Sequence, residues 1–226
     1  MSLLIAALLV LPTPAAASCG CGEGHMELTS AAVRSMRLSG ERPTTTGRRH
    51  LRRQVKNRMN TIRRQFLRPT DPRTLQMKTY QSSTHSLRIN YPSDWSVHDG
   101  FFGTVVSLIS PHRGTKDRLT ENVNVIVRAL EEELTLTAAT EAAIGELRTL
   151  PNFVLLDSKD ATLSSLPAHS LTYTSGNGAD LLKFRQVWTI ANNALYVFTF
   201  AADPRDYDDY ARIFDRMLQS LWIGTR

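Results

Sequence analysis

Cysteine is nearly absent from this 226-residue chain, and its scarcity limits what the protein can be. The two cysteines, Cys19 and Cys21, both lie near the N-terminus. A Cys-x-Cys pair makes a cramped disulfide, and two thiols cannot complete a tetrahedral zinc site. The remainder of the chain therefore folds without a disulfide framework and offers no cysteine nucleophile.

The sequence also lacks the short motifs that mark common catalytic sites. It contains no Gly-x-Ser-x-Gly nucleophile elbow, no glycine-rich phosphate loop and no His-Glu-x-x-His zinc motif. The histidines of the C-terminal part are scattered on or beside predicted strands: His85, His98, His112 and His169. Since a single histidine on a strand is usually structural, we expect a protein that is not an enzyme.

No apolar run is long enough to form a membrane-spanning helix. Leu3 to Leu11 is the length of a signal-peptide core, and it precedes an Ala-x-Ala cleavage motif that ends at Ala17. We interpret residues 1–17 as a targeting-like segment, although no Lys or Arg precedes the apolar run. A missing upstream transit peptide, a weak signal and a buried N-terminal helix remain alternative explanations.

Positive charge is confined to one part of the chain. Between Arg34 and Arg73 there are 13 Lys or Arg residues against Glu41 and Asp71, whereas from Thr79 onward there are 13 basic and 17 acidic residues. The chain's net charge of +6 and its pI of about 9.6 therefore arise from the basic segment. The C-terminal part is mildly acidic.

A basic amphipathic helix is predicted within residues 47–74, after a Gly-, Ser- and Thr-rich linker over residues 18–46. Apolar residues recur at helical spacing at Leu51, Val55, Met59, Ile62 and Phe66, and prolines stop the helix near residue 69. The remaining helix surface carries the residues that we expect to contact a partner or a membrane. These are Arg48, Arg49, Arg52, Arg53, Lys56, Arg58, Arg63 and Arg64.

This helix has three possible roles. It could pack on a protein partner or on its own domain, lie on an anionic membrane surface, or contact nucleic acid. Only Phe66 is aromatic, so base stacking is poorly supported and nucleic acid is the least favoured of the three.

Residues 75–226 are predicted to form one α+β domain, with a central antiparallel β-sheet flanked by helices. Alternating residues predict strands at Leu87–Tyr91, Val123–Val127, Pro167–Thr174 and Leu181–Thr199, the last broken by a turn at Asn192-Asn193. We expect a helix from Thr135 or Thr137 to Leu150. A second helix is expected to begin with Asp203 as N-cap and Pro204 as its first residue.

The block from Leu87 to Ile223 resembles the PsbP family, which includes the extrinsic lumenal subunit of photosystem II. The order and spacing of several short motifs carry this resemblance. They are Ile89-Asn90-Tyr91-Pro92-Ser93-Asp94-Trp95, Gly103 to Pro111, Asn122-Val123-Asn124-Val125, Leu163 to His169, Gln186-Val187-Trp188 with Leu195-Tyr196, and Tyr207 to Tyr210 running to Phe214, Met217 and Ser220. The pattern is closer to prokaryotic and divergent PsbP-domain proteins than to the plant subunit.

The resemblance implies a sheet between helices and a binding or assembly role without turnover. It favours a peripheral protein of the thylakoid lumen, or of another extracytoplasmic compartment, with photosystem II as partner. Two alternatives are an exported bacterial envelope protein unrelated to photosynthesis and an accessory subunit of an organelle membrane or RNA assembly.

Acidic residues crowd the start of the last predicted helix at Asp203, Asp206, Asp208 and Asp209. Negative charge there complements the helix dipole, which explains the cluster without a ligand. A calcium or manganese site is the more specific hypothesis, because hard cations prefer carboxylate oxygens and the resemblance associates the family with such ions. No other cofactor is expected.

Overall fold

The computed structural model describes residues 74–112 and 120–224, apart from the side chain of Phe102. The predicted targeting segment, the linker and nearly all of the predicted basic helix lie outside these residues. Among the described residues, no helix combines the length and the hydropathy needed to cross a bilayer.

A seven-stranded antiparallel sheet forms the centre of the described domain, in the order β3-β4-β5-β9-β8-β7-β6. Its strands are β3 (Ser96–Asp99), β4 (Val106–Ile109), β5 (Asn122–Ala129), β6 (Val154–Leu163), β7 (Leu166–Ser175), β8 (Leu182–Ala191) and β9 (Ala194–Ala202). The α+β class expected from the sequence is confirmed.

A second sheet of three strands was not predicted. It has the order β1-β2-β10, with β1 at Met77–Ser82, β2 at Leu87–Pro92 and β10 at Trp222–Ile223. It is an addition to the predicted central sheet, which is present. A tight turn follows β2, where the Trp95 amide donates to the Pro92 carbonyl at 3.0 Å, and β3 then begins at the edge of the other sheet.

Two helices cover opposite faces of the large sheet. Helix α1 (Leu136–Leu147) packs with Leu171, Phe184 and Trp188, while helix α2 (Tyr207–Gln219) and the small sheet cover the face that carries Phe198 and Phe200. Alternate residues of one strand point to opposite sides of the sheet, so each face contributes apolar side chains to its own buried cluster. The predicted sandwich of helix, sheet and helix is thus present.

Local details confirm some boundaries and correct others. The Thr135 hydroxyl caps α1 by accepting from the Ala138 amide at 3.1 Å. Strand β6 runs without a break from Val154 to Leu163 and has a bulge between Leu155 and Asp157.

Helix α2 begins later than predicted. Its N-cap is Asp206 and its first residue is Tyr207, while residues 204–206 form a turn. The Asp203 carboxylate accepts from the Arg205 amide at 2.9 Å and from its guanidinium. Because that local turn occupies Asp203, the residue does not cap the helix.

We predict that Phe200→Ala lowers the free energy of unfolding by about 3–5 kcal/mol, because it empties a fully buried site. The ring of Phe200 lies 5.4 Å from that of Phe214 and 5.3 Å from that of Tyr207, measured between centroids. Denaturant titration gives the value. Leu181→Ala is the control; this residue is 37% exposed, so its loss of stability should be clearly smaller than that of Phe200→Ala. Equal losses in both variants would contradict this packing.

Candidate functional site: a charged groove beside an exposed sheet edge

A polar groove of about 490 Å³ lies where α2 passes over strands β6, β7 and β8. Its lining combines three basic residues, two acidic residues and a few neutral ones: Leu156, Asp157, Lys159, Thr172, Lys183, Arg185, Tyr207, Ala211 and Asp215. The volume is in the range of small-ligand and side-chain binding clefts.

Strand register brings the groove residues together. Thr172 of β7 lies opposite Asp157 of β6 on one side and opposite Arg185 of β8 on the other. Directly opposed residues of an antiparallel sheet share a face, so these three form one row beneath α2. The helix adds Tyr207, Ala211 and Asp215, which recur at helical spacing above the row.

Ion pairs tie the floor of the groove to its roof. The Arg185 guanidinium donates to the Asp215 carboxylate at 2.6 Å and lies over the ring of Phe214. The Lys183 ammonium lies 3.9 Å from the ring centroid of Tyr207 and 3.8 Å from an Asp208 oxygen. Both signs of charge are therefore present, which favours recognition of a polar surface with complementary charges.

Two titrating groups of the groove are shifted in opposite directions. A hydrogen bond from the Lys159 ammonium, which lies 2.7 Å from the carboxylate, lowers the pKa of Asp157 below its ordinary value. Burial raises the pKa of the Tyr207 phenol, which also hydrogen-bonds Thr172. At neutral pH the rim carries a charged Asp157, while the Tyr207 side chain stays neutral.

An apolar corner adjoins the groove. Four of the five large hydrophobic side chains exposed in the described residues occur here, three at the start of β6 and one just before β8: Val154, Leu155, Leu156 and Leu181. Leu156 also lines the groove. Exposed apolar side chains beside charged groups of both signs are typical of protein-binding surfaces.

The four aspartates predicted as a cation site are not brought together. Asp203 binds the Arg205 guanidinium, and Asp208 faces Lys183. Within residues 74–112 and 120–224, no three His, Cys, Asp or Glu side chains are grouped to hold a metal ion. The predicted site at Asp203, Asp206, Asp208 and Asp209 thus has no support in this structure. Two of these four aspartates, Asp203 and Asp208, are instead paired with Arg205 and Lys183.

The eight basic residues predicted to contact a partner or a membrane all precede residue 74 and lie outside the described part of the chain. The structure therefore does not test that prediction.

One histidine has a more connected environment than the sequence indicated. The His169 ring lies 3.0 Å from the Ser158 hydroxyl through Nε2 and 3.3 Å from an Asp160 oxygen through Nδ1. The sequence contains one signal for this arrangement: Ser158 and Asp160 are two residues apart on a strand, so their side chains share a face. The Asp160 side chain is 99% exposed, so water screens its carboxylate, unlike the buried aspartate of a serine-hydrolase triad.

Comparison with known proteins identifies relatives of this architecture. A family model described as "PsbP-like protein" matches residues 51–221, well over half of the chain. The solution structure of cyanobacterial PsbP from Synechocystis sp. PCC 6803 is 17% identical, covers 66% of this chain and 94% of its own, and superposes with a TM-score of 0.54. At this identity the likeness shows a shared fold.

Two bacterial structures are also similar. PA94 of Pseudomonas aeruginosa, a protein of unknown function, is 17% identical over 67% of this chain and 98% of its own, with a TM-score of 0.47. LpqN of Mycobacterium tuberculosis, involved in cell envelope biogenesis, is 16% identical over 66% of this chain and 91% of its own, with a TM-score of 0.48. A search of curated proteins found no match.

We predict that the pKa of the Asp157 carboxyl lies below its ordinary value and that Lys159→Met returns it toward that value. The interaction with Lys159 is fully present above the ordinary pKa of an aspartate and is lost as pH falls through the lowered pKa of Asp157. Carboxyl carbon shifts measured by NMR in the parent protein and the variant follow this titration. An unchanged Asp157 midpoint in the variant would contradict the assigned cause.

Proposed function

The chain belongs to the PsbP-like protein family, and we propose from this membership that it is a non-enzymatic docking protein that binds a membrane-bound protein complex or assists its assembly. The observation that carries the proposal is the extent of the family match. It covers nearly all of the described domain, to residue 221, and also most of the predicted basic helix, from residue 51 onward. The proposal therefore takes the basic segment and the domain to act together in binding.

The distribution of charge supports docking. The 13 basic residues between Arg34 and Arg73 supply long-range attraction to an anionic membrane or an acidic protein face. The domain contributes the groove, where Lys159, Lys183 and Arg185 alternate with carboxylates. Complementary charges of this kind set orientation and partner choice more than affinity.

Photosystem II on its lumenal side is the partner that we propose more specifically. Its support is the resemblance of the Leu87–Ile223 block to PsbP, together with the signal-like run from Leu3 to Leu11 and the cleavage motif ending at Ala17. A lumenal or otherwise extracytoplasmic protein would reach the complex as a peripheral subunit.

The arm is tested by replacing all eight predicted contact residues with glutamine in the full chain. Each basic residue near an anionic surface contributes about 1 kcal/mol, so binding to photosystem II membranes at low salt should weaken by about a hundredfold or more. Cosedimentation measures the loss. A control variant in which the seven arginines become lysine keeps the charge and should keep most of the binding.

Three results of this experiment would count against the proposal. Unchanged binding of the glutamine variant would remove the role of the arm. Equal binding to membranes depleted of photosystem II would contradict that partner, and binding to anionic liposomes alone would point to a lipid surface instead.

We expect the mature protein in its native source to begin at Ser18, because the cleavage motif ends at Ala17. Intact mass and N-terminal sequencing of the native protein check this. A mature chain that retains residues 3–11 would contradict export by this signal.

A further inference from the structure

Strand β6 forms one edge of the seven-stranded sheet. It runs for ten residues, Val154–Leu163, and pairs only with β7 among the strands that the structure describes. The other edge strand of this sheet, β3, has four residues. A long edge strand presents a row of backbone donors and acceptors that a further strand can pair with.

The side chains of β6 are exposed as well as its edge. Val154 and Leu156 are each 52% exposed, and most of the strand from Asp157 to Thr162 is accessible. Aspartate and lysine stand on either side of Ser158, with 2.7 Å between the Lys159 ammonium and the Asp157 carboxylate. The strand therefore carries opposite charges arranged symmetrically about one residue.

We propose that β6 pairs with β6 of a second copy of this chain, antiparallel, about a two-fold axis that passes through Ser158. This homodimer goes beyond the proposed docking function and does not depend on which membrane partner is correct. The two copies would form one continuous sheet of fourteen strands, because each contributes its seven-stranded sheet at the same edge.

The sequence of β6 selects this register. A two-fold axis perpendicular to the sheet leaves each side chain on the same face. Residues directly opposite each other must share a face, so the axis must pass midway between the two copies of one residue. With the axis at Ser158, Asp157 of each copy faces Lys159 of the other, which gives two opposite-charge pairs. An axis at Asp157, Lys159 or Asp160 would instead place identical charges directly opposite each other, which is destabilising.

The bulge between Leu155 and Asp157 limits the regular ladder to the residues next to the axis. Leu155 pairs with Tyr173 and Asp157 with Thr172, so the side chains of Leu155 and Asp157 point to opposite faces of the sheet. We therefore expect a small interface with a Kd in the micromolar range.

Charge reversal tests the dimer in the full chain. Asp157→Lys would place lysines opposite Lys159, and Lys159→Asp would place aspartates opposite Asp157, so each variant alone should have a dimer Kd about tenfold weaker. Sedimentation velocity over a concentration series measures the Kd. Thermal unfolding of each variant separates loss of pairing from loss of folding.

Mixing the two variants is the decisive experiment. An Asp157→Lys copy and a Lys159→Asp copy present opposite charges to each other in the proposed register, so the mixture should form a heterodimer as tight as the parent homodimer. A role of these residues within one chain cannot produce that rescue. Failure to form the heterodimer, a parent protein that stays monomeric at all concentrations, or a dimer insensitive to both changes overturns the proposal.

Cross-linking tests the position of the axis. In a background of Cys19→Ser and Cys21→Ser, Ser158→Cys places two thiols across the axis at a separation that suits a disulfide, about 4.5–5.5 Å between α-carbons. Mild oxidation should give a covalent dimer. Ala161→Cys is the matched control, because residue 161 lies three residues from the axis and its two copies would be about 20 Å apart. Cross-linking of the control in preference to Ser158→Cys would overturn the register.

Discussion

Burial of β9 on both faces is the constraint from which the rest of the described structure follows. Every residue from Ala194 to Ala202 is buried, with Leu195 and Val197 on one side and Phe198 and Phe200 on the other. A strand that is apolar on both faces must be covered twice. Helix α1 supplies one cover, and α2 together with the three-stranded sheet supplies the other. The order of layers is a consequence of this strand's composition.

The same requirement explains where the surface features lie. Helix α2 covers the centre of the sheet, where the ring of Phe214 packs on that of Phe200. Toward β6 the sheet becomes polar, and the space beneath the helix is lined by charged side chains instead of core residues. The groove thus lies between the buried core and the exposed edge of the sheet. The exposed Val154 and Leu156 lie along that same edge.

The proposed function depends on surfaces that act over different distances. In that proposal the basic segment before residue 74 acts through net charge, which attracts at a distance and is weakened by salt. The groove acts at short range, and the pair between Arg185 and Asp215 fixes its geometry. A docking protein would use both, because the first raises the rate of encounter and the second selects the orientation. The edge of β6 adds a surface that can be self-complementary.

Local pattern by itself determined the α+β class and the β8–β9 hairpin at Asn192-Asn193, and it placed the start of α1 at Thr135 or Thr137, because each depends on periodicity or on one turn. Tertiary structure alone decided the rest. Strands β1 and β10 are short, and β1 is largely exposed, so only pairing with Arg88 and its neighbours on β2 makes them strands. The groove joins residues from 156 to 215 through strand register. Asp203 is a separate case, because it binds Arg205 two residues away instead of capping the helix, and residue types alone do not decide between these two local contacts. Long-range pairing decided the small sheet and the groove because it joins residues that are distant in the sequence.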